Sequence, residues 1–453
     1  MKKLLWESIS WRRHRHKAQG QEQKEKVLPK TISSSKNPVE VKTVTTLPLE
    51  GYRVLDFSTY AAAPICAMTL ADWGAEVIKV EPLTGDAFRF FGLIMRCPVK
   101  EDDNIQFELD NRNKRGIALD LKSREGKEII HRLLKAADVL VTNYRPKGLK
   151  NLELDYESVS ARYPRLVYAY LNGYGDAGPE KDKPGFDLAA YFARSGILVE
   201  MPEPGSPPIP PLAGFGDHPT GTFLAGGICA ALLHRERTGK GCKVQTALFN
   251  AALWNLGLNV ATANNNAHLP EEEQEKIKAS RKRPRTALMN TYRTKDNRWI
   301  TVMALEYDRY WKPFAEKVIQ RPDLVEDPRF QNQMATFQHT EELTAMVDQE
   351  FQKYTKDELV QRMKMADIVC EVNQRWREMK EDVQALENGF IIEHRMPSGR
   401  KEWVVGNPVK FNGEKTSLRR YAPKLGEHND EILSELGYSR EEIKSLRDKK
   451  VIK

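Results

Sequence analysis

Tyr52-Arg-Val-Leu-Asp-Phe-Ser58, a helical stretch opened by Pro64 and running from Ile65 to Trp73, and Ala75-Glu-Val-Ile-Lys-Val-Glu81 decide the fold. The first and last runs are rich in β-branched and other apolar residues, as strands are, and Pro82 stops the second. Between them the apolar, Ala-rich segment reads as a helix, and Gly74 ends it in the usual place for a glycine. Strand, helix and strand within 30 residues predict a unit with a right-handed crossover joining two parallel strands.

Downstream the pattern repeats. Arg115-Gly-Ile-Ala-Leu-Asp-Leu121 reads as a strand, and Ser123 precedes a helix whose apolar face is Ile129, Ile130, Leu133 and Leu134. Asp138 to Thr142 is the next strand, Asp155 caps a short helix, and Leu166 to Leu171 is another strand. This alternation, with strands apolar throughout, predicts an α/β fold with a doubly wound, Rossmann-like parallel sheet. Ligands of such sheets lie beyond the carboxyl ends of the strands. The segments after Ser58, Glu81, Thr142 and Leu171 are therefore the places to look.

Residues 217–235 read as an apolar helix capped by Asp217, and 262–283 as a polar loop or linker. From about Ala287 the style changes toward strand-like Trp299 to Ala304 and charged helices between Glu341 and Lys364, a smaller α+β domain. Trp403 to Val405 and Asn407 to Phe411 read as strands. Asp430 is expected to cap a helix over Glu431 to Leu436, and Arg440 to Arg447 forms a last one. The expected organisation is a basic tail over 1–48, the N-terminal part of a large domain over 49–265, a linker over 266–284, the small domain over 285–375, and a linker with a C-terminal return to the large domain over 376–453.

Composition narrows the function classes. The net charge of +8 resides in the tail: residues 1–47 hold 11 Lys/Arg and 4 Asp/Glu, a net of +7, leaving +1 for the rest. A nucleic-acid footprint is therefore not expected, and the tail's polar composition is that of a disordered segment. No run reaches the roughly 18 apolar residues of a membrane span, and no secretory signal is expected. The five cysteines are scattered without metal-ligand spacing, so no metal is expected and a reducing, cytoplasmic setting is.

Several motifs admit two readings. Gly173-Tyr-Gly175-Asp-Ala-Gly178 matches a dinucleotide fingerprint, but Pro179 and Pro184 bracket the stretch where its helix should begin. Lys114-Arg115, beside Asn111 and Asn113, is either surface or a phosphate contact; Phe90, Phe91, Tyr191 and Phe192 line an acyl pocket or belong to the core. Asp217 and His218 are adjacent at a helix start, where capping is the simpler role. Asp187, in Pro184-Gly-Phe-Asp187 before an apolar helix closed by Gly196, is either an N-cap or a carboxylate nucleophile. The roles are compatible, because helix N–H groups favour the ionised carboxylate. With an ordinary pKa of about 3.9 it would need no general base. Acylated, it would be a mixed anhydride, a partner suited to thioester exchange.

Taken together, Tyr52-Arg-Val-Leu-Asp-Phe-Ser, Ala62-Ala-Pro, Leu70 to Pro82, Asn113 to Lys122, Ala137 to Asn143 and Thr238-Gly-Lys-Gly241 resemble the class III CoA-transferase (CaiB/BaiF-like) family from about residue 49 onward. Lys183 to Gly196 and Ala213-Gly-Phe-Gly-Asp-His218 look most like its 2-hydroxyacyl branch, the (R)-2-hydroxyisocaproate and phenyllactate CoA-transferases of amino-acid fermentation. The resemblance implies that Asp187 is catalytic, passing through an aspartyl anhydride and an aspartyl-CoA thioester. It places Thr59, Tyr60, Ala61, Ala62, Lys122, Asn143, Tyr144 and Asn172 at CoA-contacting positions, with Ala62 letting backbone N–H groups reach a thioester oxygen. It further implies an interlocked-ring homodimer, coenzyme A thioesters as substrates with no tightly bound cofactor, and a 2-hydroxyacyl-CoA dehydratase in the same pathway. Alternatives are transfer to an oxalate-, carnitine- or bile-acid-type carboxylate, 2-methylacyl-CoA racemisation, and a non-catalytic binding protein. The racemase's two-base arrangement lacks support, since no His lies between His131 and His218.

Overall fold

The computed structural model describes residues 47–278 and 280–453, so the 1–48 tail lies almost wholly outside the described residues. Six parallel strands form the main sheet: β1 (Arg53–Phe57), β2 (Glu76–Glu81), β3 (Lys114–Ala118), β4 (Val139–Thr142), β5 (Val167–Asn172) and β6 (Lys243–Ala247). Their spatial order is β3-β2-β1-β4-β5-β6. The order reverses between β1 and β4, which makes the carboxyl ends of those two strands the switch point of the sheet.

Strands β1, β2, β4 and β5 alternate their side chains between two cores. Val54, Val77, Val139 and Val167 face α1 (Ala62–Asp72). Leu55, Ile78, Ile117 and Leu140 face α3 (Arg124–Ala136) and the C-terminal helices Asn429–Glu435 and Arg440–Asp448. All eleven residues of α1 are buried, because α4 (Asp217–Thr238) covers its far side. Gly221 permits that approach: a Cβ there would lie 2.4 Å from the Ala62 carbonyl oxygen. By contrast α3 buries one stripe, Ile129, Ile130, Leu133 and Leu134, and Ser123 caps it by accepting from the Gly126 N–H at 3.0 Å. Each such side chain contributes about 1.5–3 kcal/mol on burial. The helix Tyr156–Arg162 is capped by Asp155, as its sequence predicts.

Beyond the sheet, an antiparallel trio β7 (Met289–Arg293), β8 (Trp299–Met303) and β9 (Val369–Val372) builds a separate core around Tyr292, Trp311, Phe314 and Phe351. A hairpin of β10 (Ile391–Arg395) and β11 (Lys401–Val405) follows.

Three local expectations fail for identifiable reasons. Residues 262–283 are not simply a loop: the helix Gly257–Asn266 runs into them and Glu271–Ile277 lies within them, and thus within 266–284. Neither helix buries a residue, so no apolar stripe announces them. The second is held by three acidic residues in its first turn and by Lys276 pairing with Glu272 and Glu273 at 3.0 and 2.8 Å. Asn407 to Phe411 is not a strand; Asn407 accepts from the Trp73 indole N–H at 3.2 Å instead, and Phe411 packs edge-on against that ring. Asp430 is inside its helix, after His428 at the cap position, and pairs with Arg447.

Candidate active site

Asp187 is the first residue of a π-helical segment, Asp187–Ala193, and its carboxylate does not cap that segment. Phe186 takes the cap position with no side-chain hydrogen bond. The carboxylate turns instead to the amino end of α4, where the Gly216 N–H donates to Oδ1 at 3.2 Å and Oδ2 at 3.3 Å. Helix N–H groups do face the acid, but they belong to another helix, 22 residues long. The residue is 5% exposed. Burial pushes its pKa up to about 6 against the opposing pull of the Gly216 and Gly214 N–H groups. The expectation of an ordinary pKa is therefore corrected, although the acid still ionises below neutral pH.

Glycines make this geometry possible. At Gly216 a Cβ would lie 2.4 Å from Asp187 Oδ1 and 2.3 Å from Tyr191 Cγ. Gly173 and Gly185 pass so closely that a Cβ on either would meet the other's Cα within 2.6 Å. The first glycine of the GxGxxG match thus brings the end of β5 against the approach to Asp187, and only bends and turns follow it before Asp187.

At the switch point Asn143, just after β4, clamps the peptide of Thr59 just after β1. Its Oδ1 accepts from the Thr59 N–H at 3.0 Å and its Nδ2 donates to the Thr59 carbonyl at 2.8 Å. Asp86 completes the turn, accepting from the Thr59 hydroxyl at 2.6 Å and the Tyr60 N–H at 3.1 Å. These bonds hold Tyr60 at φ +63°, a left-handed conformation uncommon for an aromatic residue. The Tyr60 ring is 39% exposed and meets Phe186, Asp187's neighbour, edge-on at 5.2 Å. Ala61 and Ala62 are buried at the start of α1, which has no side-chain cap, leaving first-turn N–H groups without a side-chain acceptor. Tyr144 stacks on Phe57 at 4.4 Å, and burial pushes its phenol up to about 12.

Thr59, Tyr60, Ala61, Ala62, Asn143 and Tyr144 are thus brought together, and Tyr60 joins them to the Asp187 segment. Lys122 stands apart, exposed on the turn after β3. Asn172 is engaged by its own turn, bonding Asp176 at 2.8 Å and the Gly175 N–H at 2.7 Å.

Other readings change. Lys114 is neither surface nor a phosphate ligand: it is fully buried, with Asp56, Asn111 and the carbonyls of Pro64 and Asp110 within 2.8–3.0 Å of Nζ. Arg115 is also buried and binds Glu431 at 2.7 Å. Tyr191 and Phe192 belong to the core, whereas Phe90 is 58% exposed. Asp217 lies inside the first turn of α4 and caps nothing; Gly216 holds the cap position. Burial, then Asp187 and Asp110, push its carboxyl up to about 8. Asp86, Gly216 and Asp110 were missed by sequence reasoning, since each acts on residues distant in the chain. The only cue was that Asp86 and Gly216 lie near loops already singled out. Among the described residues no His, Cys, Asp and Glu group is arranged to hold a metal ion, and no helix is long and apolar enough to cross a membrane.

The parallel sheet carries a buried carboxylate near its switch-point loops, where ligands of such sheets bind. The chain belongs to CoA-transferase family III, whose profile matches residues 49–429. It is 40% identical over 405 residues to the (R)-2-hydroxy-4-methylpentanoate CoA-transferase of Clostridioides difficile, covering 89% of this chain and 99% of that one. Over 407 residues it is 35% identical to the cinnamoyl-CoA:phenyllactate CoA-transferase of Clostridium sporogenes, covering 89% and 96%. A crystal structure of a CaiB/BaiF family protein from Brucella suis superposes with a TM-score of 0.75 at 27% identity, covering 86% of this chain and all of that one.

Proposed function

We propose that the protein moves CoA from an acyl- or enoyl-CoA donor to an (R)-2-hydroxy acid, with Asp187 as the covalent carrier. The observation that carries this reading is the Asp187 carboxylate, buried against the Gly216 N–H and joined through Phe186 to the Tyr60 loop. An Asp187 oxygen attacks the thioester carbonyl and expels CoA thiolate, leaving an aspartyl anhydride. The thiolate attacks the Asp187 carbonyl carbon and releases the donor acid as carboxylate. The aspartyl-CoA thioester is then opened by the acceptor carboxylate, giving a second anhydride and thiolate. Attack of that thiolate on the acceptor's carbonyl yields the new CoA ester and returns Asp187 as carboxylate. Every nucleophile and leaving group is an anion, so the cycle moves no proton and needs no general base. In this reading the Ala62 and Ala63 N–H groups, at the start of α1 where no side chain caps them, stabilise the oxyanions.

In this reading CoA lies along Thr59, Tyr60, Ala61, Ala62, Asn143 and Tyr144, with Lys122 and Asn172 at its margins. No tightly bound cofactor takes part. The exposed apolar side chains Trp254 and Leu258 suit an interlocked homodimer whose small domain spans 285–375. The five free cysteines suit the cytoplasm, and the product suits a 2-hydroxyacyl-CoA dehydratase. Asp187→Asn tests the carrier role. Asn keeps an acceptor oxygen for Gly216 but forms no anhydride, so transfer should fall by at least about 1,000-fold with the fold retained. Activity near wild type in that variant would overturn the proposal.

A further inference from the structure

The loop that serves Asp187 also carries an imidazole with no assigned task. His218 lies two residues after Gly216, and its side chain is 44% exposed. Neither ring nitrogen makes a hydrogen bond with the described residues, although Nε2 stands 3.8 Å from Asp110 Oδ1. Asp110 is 2% exposed, on α2 (Ile105–Asn111), and its Oδ1 is buried without a hydrogen-bond partner. Leaving a buried carboxylate oxygen unpaired is destabilising, so its persistence beside an imidazole calls for a role. The arrangement lies near the nucleophile: Gly216, two residues before His218, donates its N–H to the Asp187 carboxylate at 3.2 Å.

We propose that His218, oriented by Asp110, recognises the 2-hydroxyl of the acceptor acid. This rests on the transfer reading above and assigns the hydroxyl to a side chain. Above about pH 7, where Asp110 is ionised, a short shift of the ring would let Nε2–H donate to it, in the way a carboxylate fixes a histidine tautomer. Nδ1 then presents a lone pair on a ring whose side chain is 44% exposed. Burial, then Arg112, lower the imidazole pKa, which favours the neutral ring. A neutral acceptor nitrogen takes an O–H donor and gives nothing to a second carboxylate, so it selects hydroxy acids over dicarboxylates as well as over unsubstituted acids. Asp110 is a positioning residue, because it acts only through the ring.

The test uses a matched pair of acceptors, (R)-2-hydroxy-4-methylpentanoate and 4-methylpentanoate, with one acyl-CoA donor. Wild type should favour the hydroxy acid in kcat/KM, and His218→Leu should shrink that ratio on the order of 10- to 100-fold. His218→Gln, which keeps a hydrogen-bonding group, should restore part of it, and Asp110→Asn should lose part of it. A ratio unchanged in His218→Leu, or an equal fall on both acids, overturns the inference while leaving transfer intact. So does a wild type indifferent to the hydroxyl. Failure of the transfer reading would show separately, as an active Asp187→Asn enzyme.

Discussion

Two groups of buried ionisable residues lie in the same half of this protein, and they are built oppositely. Under the switch point, Asp56, Lys79, Asp86 and Lys114 are at most 3% exposed, and every charge has an opposite partner. Lys79 binds Asp86 at 2.9 Å, and Lys114 binds Asp56 at 2.9 Å. Burial alone would lower the Lys79 pKa, but Asp86, Asp56 and Glu81 outweigh it and the net shift is upward. At the amino end of α4, Asp187, Asp217 and Asp110 have no paired cation within the group, and all three rise, to about 6, 8 and 7. Burial is the first cause in each of the three, and buried carboxyls without a cation bonded to them are available for chemistry, whereas paired charges hold shape. The first group supports the loop that the second works beside, through Asp86 and the Thr59 turn.

Removing one member from each group should break them in different ways. Lys114→Met strands Asp56 in the core and should cost about 3–5 kcal/mol, read as a large drop in melting temperature. Asp187→Asn should do the reverse. A carboxyl whose pKa rises from 3.8 to about 6 on folding stabilises the fold below pH 4 relative to above pH 6. Replacing it should therefore raise stability at pH 7.5 by up to about 3 kcal/mol, and the gain should vanish near pH 4. Equal melting temperatures at pH 7.5 would mean the carboxylate is not held at a cost.

Smaller effects sharpen the contrast. Gly216→Ala, whose Cβ would meet Asp187 Oδ1 and the Tyr191 ring, should lower kcat/KM about 10- to 100-fold while the melting temperature falls only modestly. Wild-type kcat/KM at saturating acceptor should decline as pH drops through about 6, where Asp187 takes up its proton. A flat profile from pH 7.5 to 5 would contradict that assignment. Lys122→Ala should do least, raising the KM for acyl-CoA a few-fold, since the side chain is exposed and apart from the others.

The division between legible and illegible follows the range of the forces. Strands β1 to β5, the stripe on α3 and the Ser123 and Asp155 caps are written in neighbouring residues, through periodicity and local hydrogen bonds. Asp187 was singled out for a helix-start position that proved real, but its own helix is not what it faces. Its donor, Gly216, comes from 29 residues away, and no local pattern encodes that meeting. The strained Tyr60 and the unpaired Asp110 oxygen are likewise products of packing between segments. The helix Glu271–Ile277 escaped for the opposite reason: it is held by surface charges and buries nothing.

The central claim is that Asp187 carries CoA as a thioester. Enzyme mixed with acyl-CoA and quenched with hydroxylamine should be digested and its peptides weighed. Hydroxylamine converts an aspartyl thioester to a hydroxamate and frees CoA thiol. The account predicts that modification at Asp187, dependent on acyl-CoA and missing from Asp187→Asn. Turnover with no hydroxamate, or with the hydroxamate on another residue, would contradict it.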